Sequence, residues 1–390
     1  MKAFKIYLLH GFLQNFTQTA FYIFGSLLLY VKTGSVLIVL IYGLIQSVVA
    51  VLIKSWLIEK YLKLVQRVGF IPTIGGSLLL NGISLIALFY LKIHGPLSLI
   101  LLFSIGLVYS AGNASYWMLS NSLMFNYVGS SKSPGQYSAH YSTMTIISTG
   151  LAGFAGLFLN FQNNFLLLFI LSGIMLVASI IPLHYITPPP IQVVSSRECI
   201  KKLSRGAFWA NCNPDHQITT TAIPLIILFL FGSLSESIWI NVTVALLTII
   251  CVYAVGKSKD RDNNRLLWFG AIALFLSFIF YGFIKTPTQF IILGVIFGIA
   301  GGIVGTAREA RLGREVANTT KPIETTVAVE FVRSLGELIG SVILVGTFLL
   351  FGKLWQPILI IGCLAVLPKI IYALKNIDGM NTALQQAHKP

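Results

Sequence analysis

Three ionisable residues stand in an otherwise apolar stretch near the end of the chain: Glu330, Arg333 and Glu337, spaced three and four residues apart. On a helix that spacing puts an acid, a base and a second acid on one face within two turns. Charged groups inside an apolar helix are costly, so by default they mark a pathway, a proton relay or a paired lock. Two chemistries are open. Glu337, near the middle of the stretch, can gain and lose a proton as its surroundings alternate between dry and wet, with Arg333 tuning it. Alternatively, Glu330, Arg333 and Glu337 form a permanent ion cluster tied to Arg308, Arg311 or Asp260. A second polar face runs through Tyr109, Asn113, Tyr116, Trp117 and Ser120, and Tyr137, His140, Tyr141 and Met144 follow with similar spacing. Gln14, Asn15 and Gln18, with Gln46, add hydrogen-bonding groups to early apolar runs. His140 sits near the start of its run, where an interfacial position is expected.

The elements that must carry these residues follow from composition. Of 390 residues, 56% are hydrophobic and 10% charged, and the mean hydropathy is +0.83; a soluble protein carries about 25% charged residues. A soluble globular enzyme is excluded, and apolar runs of about 20 residues recurring along the chain describe a polytopic helical membrane protein. Twelve spans are predicted, at about 5–31, 36–58, 68–91, 97–125, 136–160 and 164–187, then 217–234, 237–256, 266–284, 288–308, 325–351 and 355–374. The start of the chain lacks a small-residue cleavage site, so 5–31 is expected to remain as the first span. The polar linker 188–216 opens with Pro188, Pro189 and Pro190, which stop the sixth span. Within it Ile200, Leu203 and Ala207 recur opposite basic residues, as on a helix lying along an anionic membrane surface; a plain solvated linker is the alternative.

The net charge of +15 has a topological explanation. Twenty-two of the 27 Lys and Arg residues fall on the side holding both termini and the linker, and four (Lys32, Lys92, Lys285 and Lys353) on the other, with Arg333 inside a span. That bias predicts cytoplasmic termini and an even number of spans. No nucleic-acid partner is needed to account for it. The four cysteines show no metal-binding or disulfide spacing, and neither an HExxH nor a Walker A pattern is present. No cofactor, metal or enzymatic activity is expected.

The halves repeat. A charged turn with Glu59, Lys60, Lys63 and Arg67 follows span 2, and Gly256, Asp260, Arg261 and Arg265 follow span 8. The Gly256-x-x-x-Asp260-Arg261-x-x-x-Arg265 segment resembles the cytoplasmic loop motif of the major facilitator superfamily, with Asn263 where the motif has its second glycine. Glycine runs at Gly294, Gly298 and Gly302 and at Gly150, Gly153 and Gly156 suit close helix packing; the latter is similar to a helix-5 motif of drug antiporters, without its proline.

The resemblance implies an all-α membrane protein with twelve transmembrane helices in two pseudosymmetric six-helix bundles, 1–187 and 217–376, joined by the linker 188–216 and followed by a cytoplasmic tail, 377–390. In that superfamily helices 1, 4, 7 and 10 line a central cavity. This makes Asn15, Gln18, Asn113, Tyr116 and Trp117 the expected substrate contacts. Asp260, Arg261, Arg308, Arg311 and Glu330 become the expected gate, and Glu337 with Arg333 the proton-coupling pair. The function implied is secondary transport of a small solute by alternating access, by a monomer in the cytoplasmic membrane among its lipids. A uniporter, and a receptor or assembly factor on the same scaffold, are the alternatives.

Overall fold

The computed structural model describes residues 2–93, 95–129, 134–160, 165–203, 208–209, 211–231, 239, 243, 264–317, 322–352, 362–367 and 369–371. Before the linker lie α1 (Lys2–Thr33), α2 (Val36–Ser55), α3 (Ile58–Val68), α4 (Phe70–Tyr90), α5 (Pro96–Gly129), α6 (Pro134–Asn160) and α7 (Phe165–Leu183). The linker carries α8 (Ser196–Lys202). The expected linker end at 216 falls inside α9 (Pro214–Gln217), which opens the second half and leads into a π-helical turn (Ile218–Ala222), α10 (Ile223–Phe231), α11 (Asn264–Tyr281), α12 (Pro287–Ala317) and α13 (Pro322–Phe351). Residues 362–367 and 369–371 are also helical. Among the described residues, five helices are long and apolar enough to cross a membrane: Val36–Ser55, Phe70–Tyr90, Pro96–Tyr127, Pro287–Gly305 and Ile323–Phe351. The predicted span 237–256, all but two of its residues, and much of 355–374 lie outside the described residues, as do Gly256, Asp260, Arg261 and Lys132.

Helix boundaries follow local rules. After α1, Gly34 takes φ of 64°, and Ser35 caps α2 by accepting a bond from the Ile38 amide. Gly69, at φ 101°, turns the chain from α3 into α4. Both positions lie in the left-handed region that glycine reaches without steric penalty. The predicted second span overran: α2 stops at Ser55 and the expected charged turn is instead the amphipathic helix α3. It buries Ile58, Leu62 and Val65, and their i, i+4, i+7 spacing leaves Lys60, Lys63 and Arg67 on the outer surface.

The two ends of the bundle can be told apart by what they hold. At one end the linker lies against α2 and α3: Ser196 Oγ donates to the Ser55 carbonyl at 2.8 Å and Gln66 Nε2 to the Ile191 carbonyl at 3.0 Å. Here Val194 and Cys199 of the linker bury with Ile58 and Leu62 of α3, Met118 of α5, and Ile323, Val327 and Ala328 of α13. Linker and chain halves therefore share one apolar cluster, which goes beyond the surface helix or solvated linker expected. At the far end, the Lys32 ammonium donates to the carbonyls of Leu88, Phe89 and Leu91, capping the end of α4. Tyr30 meets Phe229 edge to face at 5.0 Å, joining α1 to α10.

Candidate functional site: a cavity between the chain halves

Between these two ends α1, α2, α5 and α6 face α9, the π-helical turn, α12 and α13 across a cavity of about 500 Å³. Its wall has two contrasting parts. The first half supplies carboxamides, hydroxyls and rings, among them Asn15, Gln18, Asn113, Tyr109, Trp117 and Tyr141. The second half supplies His216, Arg308, Arg333 and Glu337, with Asn213 and Gln217. Gln18 Nε2 donates to Asn113 Oδ1 at 2.6 Å, tying α1 to α5, and Thr19 and Thr149 share a hydrogen bond of 3.1 Å between α1 and α6.

The floor of the cavity is an ion cluster that crosses between the halves. Glu330 of α13 accepts from Lys54 Nζ of α2 at 2.8 Å, from Asn121 Nδ2 of α5 at 2.7 Å and from Arg333 at 2.9 Å. The Lys54 and Glu330 side chains are only 6% and 3% exposed. A carboxylate can accept about four bonds, so three strong donors, two of them cationic, leave Glu330 well satisfied. Arg333 also lies over the Phe125 ring at 5.7 Å. Above the floor, Ser47 of α2 and Ser341 of α13 share a hydrogen bond of 2.9 Å.

Glu337 is placed differently. Its side chain is 31% exposed, and His216 Nε2 lies 4.0 Å from it, a pair that is ionic only with the imidazole protonated. Backbone packing sets this geometry: a Cβ on Gly336 or Gly340 would collide with the backbone of Asn213 and Pro214. Only glycine lets α13 approach α9 so closely. The π-helical turn that follows is held by Thr219 and Thr220, whose hydroxyls donate to the His216 carbonyl at 2.8 and 2.9 Å; single π turns in helices are frequent at functional sites. Behind it Asp215 is buried and paired with Lys369.

The expected residues sort as follows. Asn15, Gln18, Asn113 and Trp117 line the cavity, as do Arg308, Glu330, Arg333 and Glu337. Tyr116 does not. It is 1% exposed and turns into the first-half core, where its hydroxyl lies 2.9 Å from His10 Nε2 and accepts from Ser120 Oγ at 3.2 Å. The other His10 nitrogen is 2.7 Å from the Ser179 carbonyl. A carbonyl only accepts, so in the neutral ring Nδ1 holds the proton and Tyr116 donates to Nε2. Of the expected gate, Asp260 and Arg261 lie outside the described residues, and the Arg311 side chain does too. Glu330 keeps the expected partner Arg333 on its own half and gains Lys54 and Asn121 from the other half. Those two were missed, as was His216. The signal for Lys54 was a basic residue at the very end of an apolar run; nothing local pairs it with a residue 276 positions away.

Among the described residues, helices packed around a polar central cavity, with contacts between the chain halves on either side of it, describe a polytopic membrane protein with the major facilitator fold. In particular, the chain is similar in structure to the human organic anion transporter MFSD10 (TETRAN). The TM-score is 0.67 over 95% of this chain and 98% of that one, at 12% sequence identity. At that identity the likeness concerns the fold. No family profile matches the sequence, and no curated protein matches it.

Proposed function

We propose that the protein is a secondary transporter that moves a small solute across a cell membrane by alternating access. The observation that carries this reading is the cavity itself, walled by both halves and floored by the buried Lys54–Glu330 pair that joins them. In this reading two six-helix bundles, 1–187 and 217–376, rock about the cavity. The linker side is the cytoplasmic side, the protein works as a monomer, and both termini are cytoplasmic. Breaking Lys54–Glu330 and parting the linker cluster opens the cytoplasmic route; parting Tyr30 from Phe229 opens the other. Arg308, Arg311, Asp260 and Arg261 add to the cytoplasmic gate. Asn15, Gln18, Asn113 and Trp117 contact the solute.

Coupling to protons is assigned to Glu337. It is the cavity carboxylate left outside the gate cluster, and its partial exposure lets water reach it. Arg333, one turn away on the same face, can turn from Glu330 to Glu337, which links proton occupancy to the gate. With no coupling ion, the same geometry serves a uniporter.

The test needs no known solute. Thr149→Cys, in a background without the native cysteines, places one thiol in the cavity. Membrane-impermeant thiol reagents are then applied to right-side-out and inside-out vesicles. Alternating access requires labelling from both sides. Labelling from one side only, under every condition, refutes it and favours a receptor or assembly factor.

A further inference from the structure

The chemistry of the cavity wall points to a solute class. Among the described lining residues, seven are carboxamides and seven are serine or threonine, against six Lys, Arg, His and acidic side chains. All six have partners or ionisable neighbours within the protein. Lys54 and Arg333 converge on Glu330, His216 faces Glu337, and Arg308 is engaged as well. A charged solute entering this cavity would have to displace an existing partner to find a counter-ion, and burial of an unmatched charge is strongly unfavourable.

The wall offers neutral hydrogen bonds instead; apart from Arg333 Nε, whose guanidinium already bonds Glu330, two of its side-chain atoms lack a partner. Gln46 Nε2, a donor from the first half, lies near the Tyr42 hydroxyl but makes no well-formed hydrogen bond; Asn213 Oδ1, at the start of the second, is a buried acceptor without a donor. An anion could answer only the donor, and an ammonium only the acceptor. A hydroxyl does both, and adjacent hydroxyls on one ring can serve both halves at once. Trp117, with Tyr109 and Tyr141 on the same side, supplies ring faces for the C–H face of such a ring. A volume of about 500 Å³ lies within the ordinary range for small-molecule sites.

We infer that the cavity takes a neutral, ring-based polyhydroxylated solute, of saccharide or nucleoside type, held by Gln46 and Asn213 from opposite halves and stacked against Trp117. The inference rests on the transport reading for its meaning, because a solute bonded to both halves is released only when they move apart at one end. Its test is binding, which stands apart from transport.

Purified full-length protein in detergent is melted with maltose, uridine, benzoate or tryptamine at millimolar concentration. Maltose or uridine should raise the melting temperature, the two arms separating saccharide from nucleoside, while benzoate and tryptamine leave it unchanged. Gln46→Leu and Asn213→Leu should each weaken that binding about tenfold. A shift with benzoate or tryptamine alone, or with none of the four, overturns the inference; the wild-type panel decides this even if a variant fails to fold. Maltose or uridine that binds but never enters proteoliposomes would instead sink transport and leave the solute class standing.

Discussion

Lys54→Met removes the cation that ties α2 to Glu330 across the two halves. Cutting one member out of a buried pair costs about 3–5 kcal/mol when the other charge is stranded. Glu330 is not stranded: Arg333 and Asn121 still donate to it, which places the loss at the low end of that range, about 3 kcal/mol. In the alternating-access reading the bond exists only while the linker side is closed, so nearly all of the loss falls on that state. At 1.36 kcal/mol per decade the closed-to-open ratio drops roughly 150-fold, so a closed state favoured by about a hundred to one becomes about as populated as the open one. Spin labels at Arg67→Cys and Leu367→Cys, both exposed on the linker side, report this as a longer distance population in pulsed EPR. Lys54→Arg, which keeps a cation in reach of Glu330, should preserve the wild-type distribution. Identical distributions for Lys54→Met and wild type would refute the gate.

Three further outcomes follow from the same geometry. Glu337→Gln should abolish uptake driven by a pH gradient in proteoliposomes while exchange of solute persists; full gradient-driven uptake would make Glu337 structural. Gly340→Val drives a branched side chain into the Pro214 backbone, a strain of about 1–3 kcal/mol, and should lower the melting temperature where Gly346→Val, with open space around it, does not. Tyr116→Phe gives up two buried hydrogen bonds, one to His10 and one from Ser120, about 1–3 kcal/mol of stability, and should leave solute affinity unchanged, whereas Asn113→Ala should reduce it.

Long apolar runs made α1, α2, α4, α5 and α6 legible, because in a bilayer every backbone polar group must bond within its own helix. The charged face of α13 was equally plain, since spacing of three and four residues fixes Glu330, Arg333 and Glu337 on one arc. Shorter-range ambiguity hid α3: its basic residues drew attention away from Ile58, Leu62 and Val65, which carry the helical period. Tyr116 shows the limit of spacing rules on a single helix. Tyr109, Asn113, Trp117 and Asn121 follow each other four apart and line the cavity. Tyr116, one residue earlier than Trp117, is rotated by about 100° and faces the core. Partnerships across the halves were illegible, because Lys54 and Glu330 meet only through the packing of α2 on α13.

The linker's place in the closed end has a consequence for how the chain may be divided. Val194 and Cys199 pack with both halves while Ser196 and Ile191 hydrogen-bond to the first, so the segment acts as a third surface in the joint. Two halves made as separate polypeptides could still pair through α2 and α13, yet a cut through 191–199 would leave part of the joint dangling. Insertion tolerance along the linker should therefore be uneven, with a silent stretch at the prolines and a sensitive one between Ile191 and Leu203.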